Sequence, residues 1–483
     1  MRTRLEVLDK TELDVIYQTS LDILEKIGVS IEDSELVKML KNNGCTADDN
    51  NVVYIPEKIV EKCLKSTPRG KVRLSGRDPQ KDIILEKGQK YPSVISHVLM
   101  NYYDELKNQY RTITVSDMKD FITLSDFLGT ISGTWMCTLM PDFGRLYTFY
   151  EYELAIRYTT KPVCVSSFEP EAIPPTLELA EAVAGGREEL IRRPLTLAFC
   201  EISPLTWNKY GCDMLKVSSR WGIQPIITVE TPMGDTGAVT FAGNIAQKIA
   251  ELLSGLVIVQ MLQEGLPVAF VVPLETFDMR TAQICLASRP DYVYGLAVGQ
   301  IEDYLDIPFI SPVSPDSKML DMQQAYELGF SLLSRILGNN KCIVIHGLDQ
   351  THAICNELLF LMDEMILSGR RMLDGIDVNE ETLAFEPLKE VAMKMEDSRR
   401  NGHFLNHKHT LKWFIKEQVP RKDNIIDKYR REKWLEMGSK SFVKRANEKA
   451  AEILKSCEPQ KLPADIENAI KRIHDKYKIP FIS

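Results

Sequence analysis

Eight short apolar runs follow one another along the middle of this chain: ISGTWMCTL (131–139), VCVSSF (163–168), LTLAFC (195–200), QPIITV (224–229), PVAFVV (267–272), YVYGLAV (292–298), PFI (308–310) and CIVIHG (342–347). They are continuously apolar rather than alternating, the pattern of parallel strands covered on both faces. The stretches between them carry helical spacing over 147–160, 173–185, 207–221, 237–264, 275–289, 316–338 and 350–370. Strand and helix alternating in this number predict an α/β chain built on a (β/α)8 barrel. One unit is irregular, because 299–307, between the sixth and seventh runs, is too short for a full helix. Barrels of this kind place their chemistry on the loops that follow the strands. The candidate residues are therefore Trp135, Phe168, Glu201, Glu230, Phe277, Gln300 and His346.

Both ends of the chain read differently. Helical apolar spacing recurs over 13–29, 34–45 and 56–68, with Gly28 and Gly44 as stops and Pro56 in a first turn. Residues 71–113 change to short strand-like pieces, KVRLSG, DIILEKG, SVISHVLM and QYRTIT, which suggest a small sheet capping one end of the barrel, and a helix over 115–129 then leads into the first run. From 371 onward the chain is charged and helical, suited to wrap the barrel's outside or a neighbouring subunit. The expected division is a helical and small-sheet cap (1–130), the barrel (131–370) and a C-terminal helical extension (371–483).

A net charge of −9 argues against nucleic acid as the main ligand, because phosphate binding needs a basic face. The start MRTRLEVLDK has no signal-peptide core and no membrane span is expected, so a cytoplasmic protein is the simplest expectation. The ten cysteines, several inside apolar runs and none in a CxxC, read as reduced buried thiols. Neither GxGxxG, GxxxxGK[ST], GxSxG nor HExxH occurs, which points away from hydride transfer, phosphoryl transfer and serine hydrolysis.

Several segments resemble the trimethylamine methyltransferase family: TPMGDTGAVTFAGNIAQKIAELLSGLVIVQMLQEGLPV (231–268), DSKMLDMQQAYELGFSLL (316–333), GIDVNEETLAFEPLKEV (375–391) with GHFLNHKHTLKWF (402–414), and the opening SLDILEKIGVSIED and VYIPEKIVEKCLKSTP. The resemblance runs in order from about residue 10 to 450. It implies a barrel that moves a methyl group from an amine to cobalamin carried by a separate corrinoid protein, with no cofactor tightly bound to this chain. One branch of the family uses pyrrolysine. This chain contains only standard residues and reads IVIHGLDQTH where pyrrolysine would be expected. It is therefore similar to the branch acting on quaternary amines such as glycine betaine, proline betaine, carnitine or γ-butyrobetaine. A glycine-rich turn is expected ahead of DSK, but the chain has ISPVSPDSK (310–318), which should reshape the substrate pocket after the seventh strand.

The chemistry suits the residues. A quaternary methyl attacked by Co(I) leaves a neutral tertiary amine, so no general acid is needed and the protein mainly has to orient the N–CH3 bond. Aromatic faces hold such cations at ~0.5–2 kcal/mol each. Tyr102, Trp135, Phe168 and Phe277 are the candidate faces, with Tyr103 beside the first. Glu201 and Glu230 supply negative field, and His346, emerging after the last strand, touches the amine or a carboxylate. Glu230 and His346 are the expected catalytic pair. No metal is expected: His403, His407 and His409, or His346, His352 and Cys355, have the elements of a zinc site but the wrong place or spacing. A small quaternary amine, a corrinoid protein and further copies of the chain are the expected partners. Two other readings stay open: a proton-transfer barrel enzyme using Glu230 and His346 as base and acid, and a betaine-binding protein without transfer.

Overall fold

The computed structural model describes residues 4–69, 71–200, 202–396, 399–400, 402–418 and 425–481. Eight strands close a barrel: β1 (Ser93–Val98), β2 (Gly133–Met136), β3 (Val163–Ser166), β4 (Thr196–Cys200), β5 (Pro225–Thr228), β6 (Ala269–Val271), β7 (Phe309–Val313) and β8 (Cys342–Ile345). Every neighbouring pair is parallel, including β8 with β1, so order around the ring follows the chain. After each strand comes a helix: α1 (Val115–Phe127), α2 (Tyr147–Tyr158), α3 (Ile173–Ala184), α4 (Lys209–Trp221), α5 (Phe241–Leu262), α6 (Arg289–Leu305), α7 (Met322–Leu337) and α8 (Asn356–Asp374).

The number of strands agrees with the sequence pattern, but one member differs. YVYGLAV lies inside α6, and its place in the ring is taken by SVISHV, which the pattern had put in the cap. The helix was marked: Ser288 sits at its N-cap, Pro290 in its first turn, and the buried Tyr294, Ala297, Val298, Ile301 and Leu305 repeat at helical spacing. The short stretch 299–307 is thus the end of a helix rather than a whole one. The expected helix over 275–289 is mostly a hairpin, Thr276–Asp278 against Gln283–Cys285. With β1 at Ser93, the barrel begins inside the segment expected to be cap.

The opposite, N-terminal end of the barrel is plugged by a second hairpin, Lys71–Leu74 with Ile83–Glu86. Its Val72, Leu74, Ile83 and Leu85 join Ile95, Trp135, Cys164 and Ile226 in one apolar cluster, so the barrel axis is filled from below. The N-terminal helices Lys10–Asp22 and Glu57–Ser66 pack on α5. Among the described residues α5 is the one helix long and apolar enough to cross a membrane, yet 83% of its apolar window is buried in the fold. The tail helices Phe442–Ser456 and Ala464–Tyr477 lie on α8 and α1 and on α3, wrapping the chain's own barrel.

Candidate functional site

Inward-facing positions recur every second residue along a barrel strand. Above the apolar layer of Ile95, Cys164, Ala198, Ile226, Ala269, Ile310 and Cys342, that period leads upward to His97, Ser166, Cys200, Thr228 and Glu230, Glu275, Ser314 and His346. All of these, with Trp135 from β2 and Cys137 just past its end, line one cavity of about 410 Å³ at the C-terminal end of the barrel. That volume suits a small molecule, near the lower end of the ~300–1,000 Å³ of such sites.

Two walls of the cavity differ in charge. On the β5–β6 side Glu230 opens onto the cavity while protein encloses it on its other sides, and the Cys200 thiol approaches its Oε1 at 3.9 Å. Desolvation, followed by the neighbouring Glu275, raises the Glu230 carboxyl to about 7, against an opposing pull from Lys248. Glu275 is buried and paired with Lys248 at 3.3 Å, and Lys248 also donates to the Val229 carbonyl at 3.2 Å. That pair sums to zero charge, so among the described residues Glu230 is the carboxylate left to give this wall negative charge. Among the described residues no lysine or arginine lines the cavity.

The β8–β1–β2 side is neutral and aromatic. His97 and His346 stand with ring centroids 4.5 Å apart, and His97 lies 5.8 Å from the Trp135 ring. Burial pushes His346 down to about 3 and His97 well below its ordinary value, His97 further through its neighbour His346, so both rings are uncharged near pH 7. Ser314 Oγ meets His346 Nδ1 at 2.6 Å, and the Trp135 indole donates to Ser166 Oγ at 2.9 Å, which fixes both ring planes. The Cys137 thiol is pushed up to about 12, chiefly by burial and then by Glu151, so it stays protonated and offers no thiolate. Above the cavity three loops are tied together. Asp316 accepts from the Leu286 and Ala287 backbone at 3.0 and 3.1 Å, Gln350 donates from its amide to the Ile284 carbonyl, and the Gln350 backbone donates to Pro315 at 2.8 Å. The loop after β7, which carries Pro315, is therefore held by the loops after β6 and β8, while Pro312, expected in the same loop, lies within β7.

The model of the family described as trimethylamine methyltransferase (MTTB) matches residues 1–479. The chain belongs to the trimethylamine methyltransferase family. It is 26% identical over 478 residues, 97% of this chain and 94% of the relative, to a trimethylamine methyltransferase of Desulfitobacterium hafniense. It is 24% identical over 419 residues, 85% and 84% of the two chains, to a glycine betaine methyltransferase from the same species. Among solved structures, the monomethylamine methyltransferase of Methanosarcina barkeri shares the fold at a TM-score of 0.51 and 8% identity, covering 99% of this chain and 89% of that one. The protein is an enzyme, a methyltransferase of the trimethylamine methyltransferase family.

Of the residues that the sequence singled out in this methyltransferase, the cavity brings together His346, Glu230, Trp135 and, at its exposed rim, Phe168. Tyr102 and Phe277 lie outside the cavity lining, a correction to the sequence reading. The Tyr102 ring is covered by the Arg111 guanidinium at 4.9 Å, and Arg111 is itself held by Asp117. Tyr102 therefore already has a cation on its face. Phe277 sits in the hairpin above the mouth, where its partner Ile284 lines the cavity instead. Gln300 is on α6 and binds the N-terminal chain, accepting from Val7 and Leu8 at 2.7 and 3.0 Å. Glu201 lies outside the described residues. His407 pairs with Glu390 at 3.1 Å, and no cluster of metal-binding groups occurs among the described residues. His97, Glu275 and Lys248 went unnoticed in the sequence. His97 was hidden by the misplacement of β1, and Glu275 lies two residues beyond a proline that ends its strand run.

Proposed function

We propose that this enzyme takes a methyl group from a quaternary amine of the betaine type and passes it to Co(I) of a corrinoid protein. The observation that carries this reading is the cavity's charge. Among the described residues Glu230 is the lining carboxylate with no ion-pair partner, no lysine or arginine lines the cavity, and the buried His97 and His346 are neutral. Such a site attracts a permanent cation and offers the Trp135 face beside it.

The cobalt of the corrinoid supplies the nucleophilic electron pair. The N–CH3 bond breaks with its pair left on nitrogen, giving a neutral tertiary amine, and no proton moves. The protein's part is then orientation and exclusion of water. A cavity of about 410 Å³ takes the amine but leaves no room for a corrinoid, so the acceptor has to approach from outside the mouth. Leu139, Phe168, Ile202 and Met279 expose apolar surface around that mouth, where an acceptor protein could seat. A proton-transfer enzyme would need His346 as its acid, and burial holds that ring neutral.

The test is methyl transfer to free cob(I)alamin across glycine betaine, proline betaine, carnitine, γ-butyrobetaine and trimethylamine, repeated with a purified corrinoid protein as the acceptor. Conversion of the cobalamin spectrum with a betaine and none with trimethylamine is the expected result. No conversion with any of them, while a betaine still binds, would leave a binding protein.

A further inference from the structure

Among the described residues that line the cavity, His97 is the one whose side chain has buried polar atoms without a hydrogen-bonding partner. It is 8% exposed, faces the cavity, and neither ring nitrogen has a hydrogen-bonding partner. Leaving such a group unmet inside a protein costs on the order of 1–3 kcal/mol, a cost that a hydrogen-bonding ligand in the cavity would remove. Its position says what. His97 is on β1 and Glu230 follows β5, four strands away around a ring of eight, on the opposite wall. His346, three strands from Glu230, stands beside His97 at 4.5 Å between ring centroids. Each neutral imidazole has one N–H to give. In the tautomer in which Nδ1 of His346 accepts from the Ser314 hydroxyl, 2.6 Å away, its Nε2 carries the N–H toward a ligand.

We propose that His97 is a specificity-determining residue that, together with His346, receives the carboxylate of a zwitterionic substrate, while Glu230 across the barrel faces its ammonium. This rests on the quaternary-amine reading above. The cavity is then polarised along one diameter, anion on the β5 side and neutral donors on the β1–β8 side, and it matches a molecule whose two charges lie at opposite ends. Burial keeps both rings uncharged. An uncharged donor pair holds a carboxylate without drawing it toward the ammonium's place beside Glu230, and it adds no positive charge to repel the cation. Trp135, paired in register with His97 and fixed by Ser166, lines the span between them.

The experiment measures calorimetric binding and methyl transfer for matched ligands: glycine betaine against choline, proline betaine against N,N-dimethylpyrrolidinium, and γ-butyrobetaine against butyltrimethylammonium. The wild-type protein should favour a betaine over its carboxylate-free counterpart. In His97→Phe that preference, as a ratio of affinities, should fall roughly ten- to a hundredfold, as for a lost hydrogen bond to a charged group. His97→Gln, which restores an N–H, should recover part of it. An equal affinity for both members of every pair in the wild type, or a preference unchanged in His97→Phe, overturns the assignment, as does failure of every betaine to bind. The wild-type comparison stands even where a variant fails to fold. A His97-dependent preference with no transfer would keep this assignment and sink the transfer reading. Transfer with no preference would do the reverse.

Discussion

Replacing Glu230 by Gln separates a binding role from an acid–base role. A quaternary nitrogen, shielded by its methyl groups, approaches a carboxylate no closer than about 4 Å, where unit charges attract by ~4 kcal/mol at an effective dielectric of ~20. Glu230 stays open to the cavity, so roughly half of that is lost to water, and ~2 kcal/mol corresponds to about thirtyfold in affinity. The free carboxyl titrates near 7, and the cation binds its ionised form. Affinity is therefore greatest above pH 7 and falls as pH drops, by up to about tenfold at pH 6, where ~10% of the group is ionised. Glu230→Gln should bind a betaine about thirtyfold more weakly at pH 8, only about threefold more weakly at pH 6, and without pH dependence of its own. During transfer the ammonium loses its charge, so an anion beside it favours the substrate over the transition state. KM should rise while kcat stays level or increases. Calorimetric Kd values and initial rates with cob(I)alamin at pH 6, 7 and 8 test this. A variant with wild-type KM but a collapsed kcat, or one retaining the pH profile, would show the reasoning to be wrong and point to proton transfer.

Three further outcomes are expected. His346→Ala should leave cooperative unfolding intact and cut kcat/KM for methyl transfer by tenfold or more, through loss of a donor and of the ring packed on His97; unchanged transfer would remove His346 from the site. Lys248→Met, which strands Glu275 inside the protein, should lower the free energy of unfolding by ~3–5 kcal/mol, and Lys248→Met with Glu275→Leu should recover most of it in denaturant titrations. Gly299→Ala would place a Cβ 1.8 Å from the Gly338 carbonyl oxygen, backbone that cannot step aside, and should cost ~1–3 kcal/mol by forcing α6 from the end of α7; an unaltered melting temperature would refute that.

The architecture was legible because parallel strands buried on both faces read as uninterrupted apolar runs, and seven of the eight were found that way. The eighth shows where the signal fails. SVISHV has polar residues at 93, 96 and 97, since Ser96 bonds Ser125 on α1 and His97 faces the cavity, so its run looks broken. YVYGLAV has no polar break although it is helical, because α6 is buried along much of its length. Continuity of apolar residues cannot separate a buried helix from a buried strand. The cap at Ser288, the proline at 290 and the repeat through Tyr294, Ala297 and Ile301 do separate them.

The site depended on that one strand. Given any correctly placed strand, counting by twos from its core residue reaches the cavity: Ile226 leads to Thr228 and Glu230, Ile310 to Pro312 and Ser314, Cys342 to Val344 and His346. With β1 in the ring, Ile95 leads to His97 by the same count. Tyr102, by contrast, is out of phase with Ile95 and lies past the strand's end at Val98, on a strand of its own. Aromatic character alone drew attention to it, and the chain had already supplied it with Arg111. Phe277 keeps the phase of Val271, Pro273 and Glu275 but comes after the chain has turned into a hairpin. Phase thus selects a wall residue only as far as the strand's direction persists. A barrel's binding residues are best sought within about two steps of its core layer, where the closed sheet still dictates which way a side chain faces.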